Sequence, residues 1–344
     1  MTQGPGRFEY YLIQIEDILL KASRSENAAL YLYQHDARTK LFMLEGLSKL
    51  YSGLHNSKMF EEIKKYFKTL EDLLGAVDYY DAFSKDFLAD PEMPVTVRLY
   101  TEEKRDKKLA ELNAVLLKKK WINHDPLRTK KIRKKLKKAD WQKPEKELSL
   151  ISKFYDRSIK DVESFYAKTG VGFTDIELQV HDLRRMLRWL SIYPQALQGA
   201  IQLNDNGISD ESVSEYLIPE IVNSPFNKLP VPGNNTVTLL LEKKYFLALS
   251  YMISSLGKIK DEGLRVMAIA EAMEATQFLP PEKALTKAFE LNKTGPGGIR
   301  IILEKAKKVC SPYFEGKYLP KIKAVIPQPE EDETAKPVIE EFIP

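Results

Sequence analysis

The chain has 344 residues, 43% of them hydrophobic and 30% charged, with one cysteine and a formal net charge of +4. That length can bury one large core or two ordinary ones, and a lone Cys310 excludes an internal disulfide and the usual cysteine-built zinc cages. No window approaches the roughly 18 uncharged apolar residues that span a bilayer. Gln14, Glu16 and Asp17 interrupt the apolar stretch near the N-terminus, which lacks the shape of a secretory signal, so a cytoplasmic protein is expected.

Helical spacing runs through most of the chain. Apolar positions predict a helix over 8–22, and Ser23-Arg24-Ser25-Glu26 fits a capping box opening a second helix to about Tyr51. A third covers 58–88 and is closed by Pro91 and Pro94. The segment Val95-Thr96-Val97-Arg98-Leu99-Tyr100 alternates like a short strand, but alone it cannot make a sheet. Charged helices are predicted over 100–120 and 126–138, then a helix over 144–168 ended by Gly170. Another follows over 174–203, with Pro194 as its kink or stop. Residues 204–236 hold Asn206-Gly207, Pro219, Pro225, Pro230 and Pro232-Gly233 and read as an insertion of turns and short helices. Helices resume over 236–256, 261–276, 281–292 and 298–310, and from Pro327 onward the chain is rich in proline and acid and expected to be disordered.

Charge is distributed unevenly. Residues 118–138 carry 11 Lys/Arg against Asp125 alone, whereas the end of the chain gathers Glu330, Glu331, Asp332, Glu333, Glu340 and Glu341 against Lys336. The first segment attracts anions and the last repels them. In the run from Arg128 to Lys138, Ile132 and Leu136 leave one narrow apolar seam, and Arg128, Lys131, Lys135 and Lys138 line one side, with Lys134 adding to the field. Trp121 and Trp141 bracket the run, either as core residues or as platforms for stacked bases.

A pattern also recurs. His35-Asp36-Ala37-Arg38 is followed about 40 residues later by Leu74-Gly75, and His181-Asp182-Leu183-Arg184-Arg185-Met186-Leu187-Arg188 is followed by Leu256-Gly257. At about 100° per residue, Arg184, Arg185 and Arg188 fall within roughly 60° of His181, while Ile176, Val180, Leu183, Met186, Leu187 and Leu190 face the other way. The earlier stripe of His35, Arg38 and Lys49 is interrupted by Phe42 and Glu45. Such a stripe either keeps a helix solvated or captures phosphate, which arginine's planar fork matches by geometry as well as charge.

These residues resemble the CHAD domains, a helical family with characteristic histidines. In that likeness His35/Arg38 and His181/Arg184/Arg188 fill the His and basic positions, and Leu74-Gly75 with Asp81 and Leu256-Gly257 with Asp261 fill the second element, across roughly residues 8–324. Places where the family usually carries arginine hold Phe42, Met43, Glu45 and Asp78. The resemblance implies binding of inorganic polyphosphate or similar polyanions in a basic channel between two bundles, without catalysis.

The expected fold is therefore all-α. It comprises two related antiparallel helical bundles over 1–170 and 171–326, the second with the 204–236 insertion, and an acidic disordered tail over 327–344. The expected site is His35, Arg38, His181, Arg184, Arg185 and Arg188, widened by Lys131, Lys134, Lys135 and Lys138. Neither metal nor cofactor is expected: four histidines with no i+4 pair do not build a metal phosphohydrolase, and no G-x-x-x-x-G-K-[ST] loop exists. The glycine-rich run at Lys293–Arg300 reads as a turn. The alternative is a scaffold or nucleic-acid-associated protein that uses only the 118–138 helix.

Overall fold

The computed structural model describes residues 3–123, 127–169, 172–205, 210–232, 238–293 and 298–323. The expected tail over 327–344 and most of the glycine-rich run, residues 294–297, lie outside the described residues. The fold is an all-α bundle of twelve labelled helices, with two short strands among the described residues. None of the described helices is long and apolar enough to cross a membrane.

Helix α1 (Gln3–Ala22) buries Phe8, Leu12, Ile15 and Leu19. The next helix is capped by Asn27 rather than by the expected Ser23/Glu26 box: its side-chain oxygen accepts the Leu30 amide at 3.1 Å. Nor does that helix run on to Tyr51. It divides into α2 (Ala28–Gln34) and α3 (Ala37–Leu54), because Asp36 takes a left-handed conformation with φ 56°, which a short polar side chain tolerates. Asn56, φ 47°, makes the next corner in the same way before α4 (Ser57–Ala89).

The residues that alternate like a strand at Val95 instead open α5 (Val95–Lys118), behind Pro94. Then come α6 (Leu127–Leu136) and α7 (Pro144–Lys168). The helix expected over 174–203 has three parts: a π-helical turn Ile176–His181, α8 (Asp182–Ala196) with Pro194 inside its last turn, and strand β1 (Ile201–Asn204). The proline-rich insertion contains the short α9 (Pro219–Val222) and leads to β2 (Leu239–Glu242), which pairs parallel to β1 from Ile201↔Leu239 to Asn204↔Glu242. The two helices expected over 236–256 and 261–276 are one, α10 (Lys243–Gln277), followed by α11 (Pro281–Leu291) and α12 (Gly298–Glu315).

One hydrophobic cluster takes residues from both sides of position 170, Leu41, Leu44 and Leu47 of α3 together with Leu183, Leu187 and Leu190 of α8. A second core closes one end, where Phe87, Met93 and Val97 meet Val266, Ile269 and Met273 of α10 and Phe289 of α11. The halves of the sequence are thus packed into each other, and helices α3 and α8 lie in direct contact.

Candidate functional site

The contact between α3 and α8 depends on a small residue. A Cβ added to Gly46 would stand 3.0 Å from the Ile192 methyl and 3.3 Å from the Trp189 ring, so only glycine lets these backbones approach so closely. Four residues earlier on α3, the Phe42 ring meets Trp189 at a 69° tilt, 6.2 Å between centroids. The approach carries Arg38 of α3 to Arg184 and Arg188 of α8. The Arg188 guanidinium sits 4.2 Å above the Phe42 centroid and that of Arg38 lies 5.5 Å from the same ring, a favourable arrangement for a cation.

Each arginine has a different tether. Arg38 donates from Nε to Glu71 Oε1 at 2.9 Å and from Nη1 to Asp78 Oδ2 at 2.6 Å, both on α4. Arg184 donates from Nε to the Ile253 carbonyl at 3.1 Å. Arg188 makes no hydrogen bond or ion pair with any described residue. Burial, then the charges of Arg184 and Arg38, push it down to about 10; burial, with Arg38, also lowers Arg184. All three side chains remain partly open to water. The glycines of the two Leu-Gly elements belong to this arrangement. A Cβ on Gly75 would fall 2.7 Å from Arg38 Nη2, and one on Gly257 would fall 3.1 Å from Arg184 Nε. Each arginine lies along a helix that has no side chain beneath it.

Three of the expected site residues do not join this cluster. His35 ends α2 with its ring stacked on Tyr31, 3.7 Å between centroids, and its Nδ1 2.8 Å from the Tyr31 carbonyl. The break at Asp36 separates its rotation from that of Arg38. His181 closes the π turn, whose wider winding alters the angles that follow from 3.6 residues per turn. Its Nδ1 stands 2.9 Å from Oε2 of Glu177, one turn back. Arg185 projects into solvent and pairs with Asp182 at 3.1 Å. Conversely Phe42, Glu71 and Asp78 belong to the site, although only Phe42 and Asp78 carried a sequence signal, as departures from an arginine pattern.

The basic helix is anchored to the bundle by part of its charge. Ile132 and Leu136 are buried, Arg133 binds Glu9 at 2.9 Å and Glu16 at 2.5 Å on α1, and Lys135 binds Glu62 of α4 at 2.6 Å. Arg128 folds over the Tyr66 ring at 4.6 Å. Lys135 is therefore committed, while the side chains of Lys131, Lys134 and Lys138 are exposed and make no ion pair with the described residues. Trp121 is 3% exposed and Trp141 sits among Phe8, Tyr51, His55 and Phe60, its Nε1 donating to the Leu136 carbonyl. Both tryptophans are packing residues. Glu62 and Glu71 are nine residues apart on α4, about 14 Å at the helical rise, so the lysine field stands off from the arginine cluster.

Among the described residues no group of three or more His, Cys, Asp or Glu could hold a metal ion. Cys310 is buried and burial pushes its thiol up to about 12, so it is not a nucleophile at neutral pH. No family model, no curated protein and no solved structure matches the chain.

Proposed function

We propose that this chain binds polyanions without transforming them, with inorganic polyphosphate the favoured ligand, at the junction of α3 and α8. The observation that carries the reading is Arg188: a desolvated guanidinium with no ion pair among the described residues, placed beside two further arginines. Gathering like charges and leaving one of them unpaired costs stability, and a phosphate oxygen supplies the missing acceptor. The matched Gly75–Arg38 and Gly257–Arg184 contacts support reading the two halves as related bundles of the CHAD type, and the single cysteine accords with a cytoplasmic setting.

The test compares two doubly reversed variants of equal charge, Arg184→Glu/Arg188→Glu and Lys134→Glu/Lys138→Glu, in filter binding of long-chain polyphosphate across a salt series. The first pair should abolish binding and the second should weaken it modestly and flatten its salt slope. Equal losses would refute a defined site. A second reading, a scaffold or nucleic-acid-associated protein working through α6, is favoured by the exposure of Lys131, Lys134 and Lys138. On that reading the arginine pair is silent and the lysine pair removes binding of double-stranded DNA.

A further inference from the structure

Next to the arginine cluster lies a carboxyl group that the binding reading leaves unused. Glu45 stands one turn beyond Phe42 on α3, is 6% exposed, and its Oε2 has no hydrogen-bond partner among the described residues. A buried acceptor without a partner is costly. Its neighbours come from three elements. On α3 itself Lys49 follows one turn later, its amine 4.8 Å from the centre of the Trp189 ring. From α4, Glu71, Lys68 and Asp72 act on it, and from α8 the Tyr193 phenol shares its field. Glu71 is equally buried and is the carboxylate that holds Arg38 at 2.9 Å. Arg38 thus ties Glu71 to the anion site, and the Glu71 charge acts in turn on Glu45.

We propose that anion capture at the Arg38–Arg184–Arg188 junction takes up a proton, and that Glu45 holds it. This rests on the anion-binding reading and specifies how it is regulated. Without ligand, Arg38 balances Glu71. A bound polyanion draws the Arg38 guanidinium toward itself and adds negative charge beside the pair. Two carboxylates in a poorly solvated space with a weakened counter-ion cannot both stay ionised. Glu45 takes a proton from bulk water, which discharges the buried carboxyl whose Oε2 has no partner among the described residues. One anion and one proton enter together, with no bond made or broken elsewhere. Lys68 acts on Glu45 in the opposite direction and Tyr193 is a phenol that burial keeps protonated, whereas burial brings Lys49 down to about 8, so Lys49→Met is the control that should keep the uptake Glu45→Gln loses. Burial, and then Glu71, hold Glu45 near neutral, at about 7, where such uptake is measurable. Affinity for the anion then falls as pH rises above neutral.

The experiment is calorimetric titration of the full chain with long-chain polyphosphate, whose interior phosphates do not titrate near neutral pH, in two buffers of different ionisation enthalpy. The wild type should take up on the order of half a proton per site at neutral pH, with Kd rising several-fold per pH unit above it. Glu45→Gln should keep binding but lose the uptake and the pH slope, while His181→Gln should keep both. If Glu45→Gln does not fold, Glu45→Met serves instead, since it too removes the titratable group and leaves the tether of Arg38 in place. Binding without proton uptake, or uptake unchanged in Glu45→Gln, overturns this inference and leaves the anion site standing. Absence of any polyphosphate binding by the wild type overturns both.

Discussion

Replacing Arg188 with methionine separates stability from function. The substitution keeps an unbranched, flexible apolar stem and removes a charge that makes no hydrogen bond or ion pair with a described residue. Burial, with the nearby Arg184 and Arg38, brings Arg188 well below its ordinary value, to about 10. At about 1.4 kcal/mol per unit, holding the charged form in place costs about 3 kcal/mol. Against this stands the contact with Phe42 at 4.2 Å, about 1 kcal/mol for a partly desolvated cation over a ring, part of which a methionine thioether recovers against the same ring. Arg188→Met should therefore stabilise the fold by about 2–3 kcal/mol, read as a higher urea midpoint with an unchanged slope. Polyphosphate should raise the melting temperature of the wild type in proportion to ln[ligand] and leave that of Arg188→Met unmoved. If Arg188→Met instead destabilises by more than about 1 kcal/mol, the guanidinium contributes packing or pairing beyond the ring contact, and it is not an unpaired charge retained for a ligand.

The remaining predictions follow from other contacts. Because burial and Glu71 hold Glu45 at about 7 rather than 4.5, the folded chain binds that proton more tightly than the unfolded one. Its contribution is complete below the unfolded carboxylate range and drains away as pH rises through 7, about 3 kcal/mol in all, so Glu45→Gln should flatten that fall in urea-derived stability. Gly199 has φ +91°, and a Cβ there would stand 2.6 Å from the Pro232 Cα, a backbone atom that cannot swing away. Gly199→Ala should cost about 2–3 kcal/mol by the same unfolding assay, and a smaller loss would mean that the insertion yields freely. Arg133→Ala removes the bridge from α6 to Glu9 and Glu16, so amide exchange over Leu127–Leu136 should quicken about tenfold while α3 and α8 stay protected. Equal quickening in α3 would place α6 within the main cooperative unit.

The all-α class was legible because apolar residues recur at helical spacing through nearly every long element. What the spacing could not show was where a continuous helix is interrupted. Asp36 turns the chain at φ 56° and the π turn at Ile176–His181 rewinds the next motif. In both halves the histidine therefore leaves the face that ideal geometry assigned to it. The opposite error occurred at Gly257, read as a boundary between two helices although it lies inside α10. A helix tolerates a glycine when something fills the space above it, and here that is the Arg184 side chain at a distance where a Cβ would crowd it. The strands β1 and β2 are four residues each and pair across more than thirty residues, so neither carries a signal by itself.

The site was legible in its arginines and not in their counter-charges. Asp78 read as the loss of a cation, and Phe42 as a break in a basic stripe. In the fold both restrain cations that would otherwise repel one another, Asp78 by closing on Arg38 at 2.6 Å and Phe42 by lending its ring to Arg38 and Arg188. A stripe of uninterrupted arginines at this depth would cost more than the fold could sustain without a permanent ligand. The carboxylates and the aromatic ring let the junction exist empty, and they are also the groups an arriving anion must displace or share. If the junction binds anions as proposed, Asp78 and Phe42 set the threshold at which binding begins, so neutralising Asp78 should tighten anion binding as surely as reversing Arg188 abolishes it.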